Sequence, residues 1–235
     1  MDYPAIREIH SAGIETVSAK APVVEMAKEI GVSPQTWMKI DPPDPWPQTM
    51  NFAETVFRRR SRRNFVGHTL LESCIQTTLE SLCVSESESG PVSAGHQQFF
   101  CTGFITNRVE GFERGFYLLD PISASYGLIA RNFPADKMAH ICLDKMWLSN
   151  AGVHILFMTN LQTLDQAWGA RGYRYAMMAA GRMGERLYLA AEALGLGACG
   201  IGALYDYEAA EALGLNNESR LLYLVAVCNV KAKVS

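Results

Sequence analysis

The sequence lacks the features by which nucleic-acid-binding, secreted and membrane proteins are usually recognised. Its 21 Lys and Arg against 24 Asp and Glu give a net charge of -3 and a pI near 6.0, which argues against general nucleic-acid binding. The longest apolar runs, such as residues 152–158, are far shorter than a membrane span. The N-terminus lacks the basic-then-apolar order of a signal peptide. These absences predict a cytoplasmic protein with neither a nucleic-acid nor a membrane partner.

Metal-ligand and disulfide patterns are also missing. The six cysteines form no C-x-x-C pair and have no histidine at ligand spacing, so free thiols in a reducing cytoplasm are predicted, mostly buried, and no metal site is expected. With 235 residues, 49% of them hydrophobic, the chain can bury a sizeable core. The cysteines are Cys74, Cys83, Cys101, Cys142, Cys199 and Cys228.

Hydrophobic spacing and turn residues predict a mixed α+β fold. Two strands separated by a short polar loop with glycine predict a hairpin. The predicted helices are one or two within residues 1–35, then 52–60, 70–83, 133–150, 172–194 and 207–213. The predicted strands are 98–106, 115–119, 153–159 and 221–230.

Two stretches suggest how the chain is organised. Four prolines between residues 42 and 47 predict an extended connector, because proline disfavours both helix and central strand. We therefore expect a helical and proline-rich N-terminal arm, residues 1–50, followed by a main domain, residues 51–235. The helix predicted at 172–194 is apolar around much of its circumference, which indicates burial in a large core or in a subunit interface.

The most unusual stretch is residues 57–65, called here the basic segment, which holds five arginines and one serine between two phenylalanines. Guanidinium groups match the geometry of a phosphate, and a serine hydroxyl adds a short donor. The segment therefore predicts an anion site. The alternatives are a solvated basic turn, or an arginine cluster that pairs with acidic side chains.

Other motifs indicate less on their own. Residues 195–200 match G-x-G-x-x-G but follow a helix instead of a strand, so we reject a dinucleotide fingerprint and interpret Gly195 as a helix C-cap. Residues 200–203 form a candidate ligand-facing turn. His154 is predicted to be a core histidine, His96 begins a strand near the surface, and Cys199 has no catalytic partner at a recognisable spacing. An enzyme without an obvious acid, base or metal motif often takes its chemistry from an organic cofactor.

Taken together, the motifs resemble the nitroreductase family of FMN flavoproteins. Residues 59–65 read R-R-S-R-R-N-F and resemble the family signature R-R-S-x-R-x-F. Residues 93–95, 109–117, 173–175 and 187–199 resemble the branch that contains the azoline-oxidising dehydrogenases. The resemblance extends over about residues 50 to 230 and keeps the family's order.

This resemblance implies a central, mostly antiparallel sheet flanked by helices, in an intertwined homodimer with FMN at the interface. It also implies a ping-pong oxidoreductase that takes electrons from NAD(P)H to a small aromatic acceptor such as a nitroaromatic or a quinone. No side chain is expected to serve as an essential catalytic base.

Carried over position by position, the resemblance also names FMN-binding residues. The phosphate and ribityl chain would be held by Arg59, Arg60, Ser61 and Arg63. The segment that touches the flavin ring from the partner subunit corresponds to Ser93, Ala94, Gly95 and His96. The turn over the ring, where a main-chain N–H can point at flavin N5, corresponds to Gly200, Ile201, Gly202 and Ala203. A basic residue near the C-terminus, Lys231 or Lys233, would also approach the phosphate.

Two departures from the azoline-oxidising branch leave alternatives open. Ala167 and Trp168 occupy the places of a lysine–tyrosine pair, and residues 181–185 read G-R-M-G-E where the branch tends to have G-H-x-x-Q. Both changes count against oxidation of a heterocycle. The alternatives are a non-catalytic flavin-binding protein on the same fold, and an azoline oxidase that acts without the usual lysine.

Overall fold

A seven-stranded antiparallel sheet forms the centre of the computed structural model, which describes residues 3–14, 24–83 and 96–231. Its strand order is β1-β4-β3-β2-β5-β7-β6. The strands are β1 (Met38–Lys39), β2 (Cys101–Thr106), β3 (Gly115–Asp120), β4 (Ser125–Arg131), β5 (Val153–Asn160), β6 (Gly197–Ile201) and β7 (Ser219–Cys228). The hairpin predicted from the sequence is confirmed, because β2 and β3 pair in antiparallel register.

Helices cover both faces of this sheet. The helices of the described residues are α1 (Pro4–Ala12), α2 (Met26–Glu29), α3 (Phe52–Arg58), α4 (Glu72–Glu80), α5 (Ala135–Ile141), α6 (Leu161–Trp168), α7 (Arg171–Ala193) and α8 (Asp206–Leu213). Short 3-10 turns occupy His96–Gln98 and Met146–Asn150. The mixed α+β fold predicted from the sequence is confirmed.

Coverage on both faces explains why the central strands are almost continuously apolar. All residues of β2 and β5 are buried, as expected when neither face meets water. Alternate residues point to opposite faces: Ile105 and Leu156 belong to one hydrophobic cluster, and Phe104 and Ile155 to the other. Helices α4 and α7 pack mainly on the second cluster, and α5, α6 and α8 on the first.

Helix α7 matches its prediction in extent and in ending. Gly195 follows it with φ +72°, a left-handed conformation that glycine adopts at little cost. The helix packs against β6 and β7. This placement brings one side of α7 to the edge of the sheet that the basic segment also contacts.

Other elements differ from the sequence prediction. The single helix expected at 133–150 is wrong: α5 ends at Ile141, and Leu143 and Asp144 have positive φ, +61° and +55°, before the 3-10 turn. A left-handed backbone at two non-glycine residues breaks a helix, and the pattern of apolar residues does not reveal it. Strands β1 and β4 and helix α6 were not predicted.

The N-terminal part of the chain contributes to the core. Met26 and Ile30 are fully buried in the first cluster, and Asn160 and Asn216 donate side-chain hydrogen bonds to the Glu29 carbonyl at 2.9 and 2.7 Å. Residues 41–51 adopt neither helix nor strand, as their prolines predict. The division at residue 50 remains a prediction. Nowhere in the described ranges is a helix both long enough and apolar enough to cross a bilayer.

Candidate functional site

The basic segment lies along the β6 edge of the sheet and is fixed there through its backbone. The Arg62 N–H donates to the Ala198 carbonyl at 2.8 Å, and Phe65 forms an antiparallel bridge with Val230. The Phe65 ring is buried and lies 5.6 Å from Trp147. The backbone and the buried phenylalanine therefore anchor the segment at this edge.

Glu192 of α7 holds two of the arginines. Its carboxylate lies 3.7 Å from Arg58 Nε and 3.7 Å from Arg62 Nη2. Glu192 is only 7% exposed, and a buried carboxylate is costly unless it is paired. Arg58 also binds Glu54 on its own helix at 3.0 Å. These two arginines therefore fasten the segment to the protein.

Arg59 contacts the same helix about one to two turns further towards its N-terminus. Its Nε lies 3.5 Å from a Glu185 oxygen, and its guanidinium carbon is 5.4 Å from the centre of the Tyr188 ring. Arg59 is half-buried. The sequence alternative in which arginines pair with acidic side chains thus describes Arg58, Arg59 and Arg62.

The remaining two arginines are different. Arg60 and Arg63 are exposed, and neither forms an ion pair with a carboxylate in the part of the chain that the structure describes. Between them Ser61 is also exposed. Lys231 is brought to this segment, because its N–H donates to the Asn64 carbonyl at 3.2 Å. Lys233 lies outside the described residues. An uncompensated group of cations beside a hydroxyl suits an anion.

A tyrosine joins the basic segment to the glycine-rich strand. The Tyr188 hydroxyl lies 2.8 Å from Ser61 Oγ and accepts a hydrogen bond from the Gly200 N–H at 2.6 Å. Two groups that the sequence predicted separately are therefore neighbours. The prediction missed Tyr188 itself, although Glu185, Tyr188 and Glu192 follow the i, i+3, i+7 spacing of one helix face.

The predicted turn at residues 200–203 needs one correction. Gly200 and Ile201 end β6 and are not part of a turn, and only Gly202 and Ala203 follow the strand as exposed residues. The Gly200 N–H bonds Tyr188, so it is not the donor to expect at a flavin ring.

Tyr223 of β7 explains why glycine is needed here. A Cβ added at Gly200 would lie 1.7 Å from the Tyr223 hydroxyl, and one at Gly184 would lie 2.6 Å from its ring. Burial first, and then nearby Tyr188, Cys199 and Glu185, raise the pKa of Tyr223 to about 12. The hydroxyl therefore keeps its proton at neutral pH.

The predicted flavin-contacting segment that ends at His96 belongs to a different region of the structure. His96 and Gln97 line a cavity of about 1000 Å³, together with Arg182 of α7, and this cavity is not lined by the basic segment or by residues 200–203. The Gln97 Nε2 is buried and has no hydrogen-bond partner among the residues that the structure describes. Ser93, Ala94 and Gly95 lie outside the described residues. The contribution of this segment to a partner's site remains a prediction.

The other titratable candidates are structural. His154 is fully buried and donates from Nε2 to the Leu148 carbonyl at 3.2 Å, and burial lowers its pKa to about 4. All six cysteines are free thiols and five of them are buried, which confirms the predicted state and burial of the cysteines. Across residues 3–14, 24–83 and 96–231, no group of three or more His, Cys, Asp or Glu is suited to a metal ion.

Comparison with known proteins places this geometry in context. The model of the nitroreductase family matches residues 122–228. A protein of Methanocaldococcus jannaschii described as a nitroreductase is 32% identical over 114 residues, which are 48% of this chain and 58% of that protein. The matched family region includes Glu185, Tyr188 and Glu192 of α7 and residues 200–203, and it begins after the basic segment.

Solved structures resemble a larger part of the chain. A crystal structure from Anabaena variabilis, also described as a nitroreductase, superimposes with a TM-score of 0.76 at 21% identity, covering 96% of this chain and 47% of that one. The NADPH:FMN oxidoreductase of Vibrio harveyi, solved with NAD+, gives 0.54 at 18% identity, covering 78% and 70%.

The lengths of these proteins differ from that of this chain. The chain spans about half the length of the Anabaena protein, and its match covers little more than half of the Methanocaldococcus protein. The structural similarity shows that the chain has the nitroreductase fold. Its residues 122–228 match the sequence pattern of the nitroreductase family.

Proposed function

We propose that this protein is an FMN-dependent oxidoreductase of the nitroreductase kind, with the FMN phosphate at the basic segment. The supporting observation is the Tyr188 hydroxyl, which joins Ser61 of that segment to Gly200 at distances of 2.8 and 2.6 Å. The basic segment and the glycine-rich end of β6 are thus neighbours, as a site for one ligand would require. The nitroreductase match over residues 122–228 supports the same assignment.

The residues present fit a phosphate. Arg60 and Arg63 are exposed cations without a carboxylate partner among the described residues, and Ser61 presents a hydroxyl between them. Hydrogen bonds from guanidinium to phosphate are charge-assisted and frequently bidentate. Arg59, held by Glu185 at 3.5 Å, would add positive charge at the side of the site.

The ring end of the cofactor would meet Gly202 and Ala203, the exposed residues after β6. Bound FMN would supply the hydride-accepting chemistry, with NAD(P)H as donor and a small aromatic molecule, of the nitroaromatic or quinone type, as acceptor. The protein's task is then to bind and orient, and a main-chain donor near the ring favours the reduced, more negative form.

Flavin affinity tests this assignment. The Kd of FMN and of riboflavin, measured by flavin fluorescence, is compared in wild-type protein, Arg60→Ala, Arg63→Ala and the double variant. Loss of a hydrogen bond to a charged group costs about 1.5–3 kcal/mol, so each single variant should bind FMN about 10- to 100-fold more weakly. Riboflavin has no phosphate, and its binding should not change.

Arg114→Ala is the matched control, because Arg114 is also an exposed arginine but lies outside the basic segment. It should leave both affinities unchanged. A wild-type protein that binds no flavin, or arginine variants that retain full FMN affinity, would refute the assignment.

A flavin-binding protein without turnover is the second candidate. Glu185 stands where the azoline-oxidising branch tends to have glutamine, and its carboxylate lies 3.5 Å from Arg59 Nε. Ala167 and Trp168 replace the lysine–tyrosine pair, and Trp168 is buried against Phe99, with ring centres 4.9 Å apart. Rapid anaerobic bleaching of the bound flavin by NADH or NADPH would support the enzyme, and its absence would support the binding protein.

We also propose a homodimer in which the His96 segment serves the partner's flavin. Large apolar side chains are exposed in the single chain, among them Phe52 at 75%, Phe57 at 85% and Met178 at 68%. Exposed apolar side chains that form a contiguous patch mark interaction surfaces, and a partner subunit would cover these three. Sedimentation equilibrium should give twice the mass of one chain, and a monomer at micromolar concentration would contradict this proposal.

A further inference from the structure

We propose that Tyr188 is a positioning residue that aims the Ser61 hydroxyl at the bound phosphate and couples phosphate binding to the Gly200 backbone. This inference rests on the proposed function, and it concerns a residue outside the predicted set. It follows from which group must donate in each of the hydrogen bonds that join Gly200, Tyr188 and Ser61.

The first link has a fixed direction. The Gly200 N–H can only donate, so the Tyr188 oxygen accepts at 2.6 Å. The second link is undetermined in the unliganded chain, because either hydroxyl can donate across the 2.8 Å between Tyr188 and Ser61. Each hydroxyl has one proton. Whichever hydroxyl donates to the other therefore has no proton left to donate to a further group.

An anion removes this ambiguity. A phosphate oxygen accepts only, so Ser61 must give it its single proton, and Ser61 Oγ then accepts from Tyr188. All hydrogen bonds now run in one direction, from Gly200 through Tyr188 and Ser61 to the anion. Hydrogen bonds aligned in this way polarise and strengthen one another.

The surroundings of Tyr188 favour this arrangement. Its side chain is 9% exposed, so little water competes for the hydroxyl. The Arg59 guanidinium lies over its ring at 5.4 Å, which places a positive charge beside the polarised chain. Because Gly200 is the next-to-last residue of β6, two positions before Gly202, a stronger bond at Gly200 would fix the end of the strand that leads to Gly202 and Ala203.

A comparison of two ligands separates this role from a general packing role. Tyr188→Phe keeps the ring and removes the hydroxyl. It should weaken FMN binding about tenfold, in the range for one hydrogen bond in a charged network, and change riboflavin binding less than about twofold. In the Ser61→Ala background Tyr188→Phe should have no further effect, because Tyr188 acts through Ser61. Tyr173→Phe, at a half-exposed position of the same helix, is the control.

A second measurement does not require the tyrosine variant to fold. In isotope-labelled protein, the Gly200 amide resonance should shift when inorganic phosphate is added to the wild type. The shift should be absent in Ser61→Ala, whose substitution lies at an exposed position. No shift in the wild type at saturating phosphate would overturn the coupling.

The outcomes distinguish the two proposals. If wild-type protein binds FMN and Tyr188→Phe weakens FMN and riboflavin equally, or the double variant is additive, the inference fails and the proposed function stands. If wild-type protein binds neither flavin nor phosphate, both fail.

Discussion

Replacement of His154 by glutamine is expected to make folding less sensitive to acid. His154 is fully buried, and burial lowers its pKa from the ordinary 6.5 to about 4, with a smaller opposing effect from the hydrogen bond to Leu148. Between these values the unfolded chain holds a proton on this ring that the folded chain does not. The free energy of unfolding therefore falls as pH decreases through this window.

The size of the effect follows from the width of the window. The interval from 6.5 to about 4, at about 1.4 kcal/mol per pH unit, corresponds to about 3 kcal/mol. Urea unfolding at several pH values between 7 and 4 gives the free energy for wild type and His154→Gln. On acidification the free energy of unfolding of the wild type should fall, relative to that of His154→Gln, by up to about 3 kcal/mol. Glutamine can still donate to the Leu148 carbonyl, so the fold should persist.

Comparison of wild type with His154→Gln cancels the contributions of all other titrating groups to the pH dependence, because both proteins contain them. His140 has its pKa raised, chiefly by its hydrogen bond to Asp144, so it stabilises the folded state at low pH and opposes His154, but both proteins contain it. His68→Gln, at an exposed position, is the control and should follow the wild type. Parallel curves for wild type and His154→Gln would refute the reasoning.

Two further predictions concern backbone positions. Gly200→Ala should destabilise the protein by about 1–3 kcal/mol, measured by urea unfolding, because the new methyl group collides with the Tyr223 hydroxyl. Gly181→Ala, with nothing within 4 Å of the added Cβ, should instead stabilise it by about 0.5–1 kcal/mol. Equal effects of the two changes would contradict this account. Asn51→Ala should lower the melting temperature and cost about 1 kcal/mol, since Asn51 Oδ1 caps α3 by accepting from the Glu54 N–H at 2.9 Å; an unchanged melting temperature would show that the cap is dispensable.

The sequence predicted the fold class well where one strong pattern governed an element. The continuous apolar run of β5 and the long periodic pattern of α7 identified both elements within a residue or two. Helix α6 was missed although its signal is present: Asn160 caps it, with Oδ1 accepting from the Thr163 N–H at 2.9 Å. Strand β4 was missed because its last residues are exposed, so it has no regular apolar alternation.

The candidate site was predictable in its parts but not in its connections. The basic segment and the glycine-rich strand end are each visible as local patterns, whereas their contact depends on where α7 lies between them. No local pattern could show that Glu192 would fasten Arg58 and Arg62 and leave Arg60 and Arg63 available. That division depends on which arginines reach the helix, and it therefore follows only from the folded structure.

The crowding around Tyr223 has a consequence for protein engineering. One phenol ring fills the volume that side chains at two glycine positions, Gly184 and Gly200, would otherwise occupy. Enlarging either position alone creates a collision, and shrinking the ring alone leaves a void. Libraries intended to reshape this edge for new ligands should therefore exchange size between positions 223 and 200 together, because most single replacements at Gly200 will lose stability before specificity can be selected.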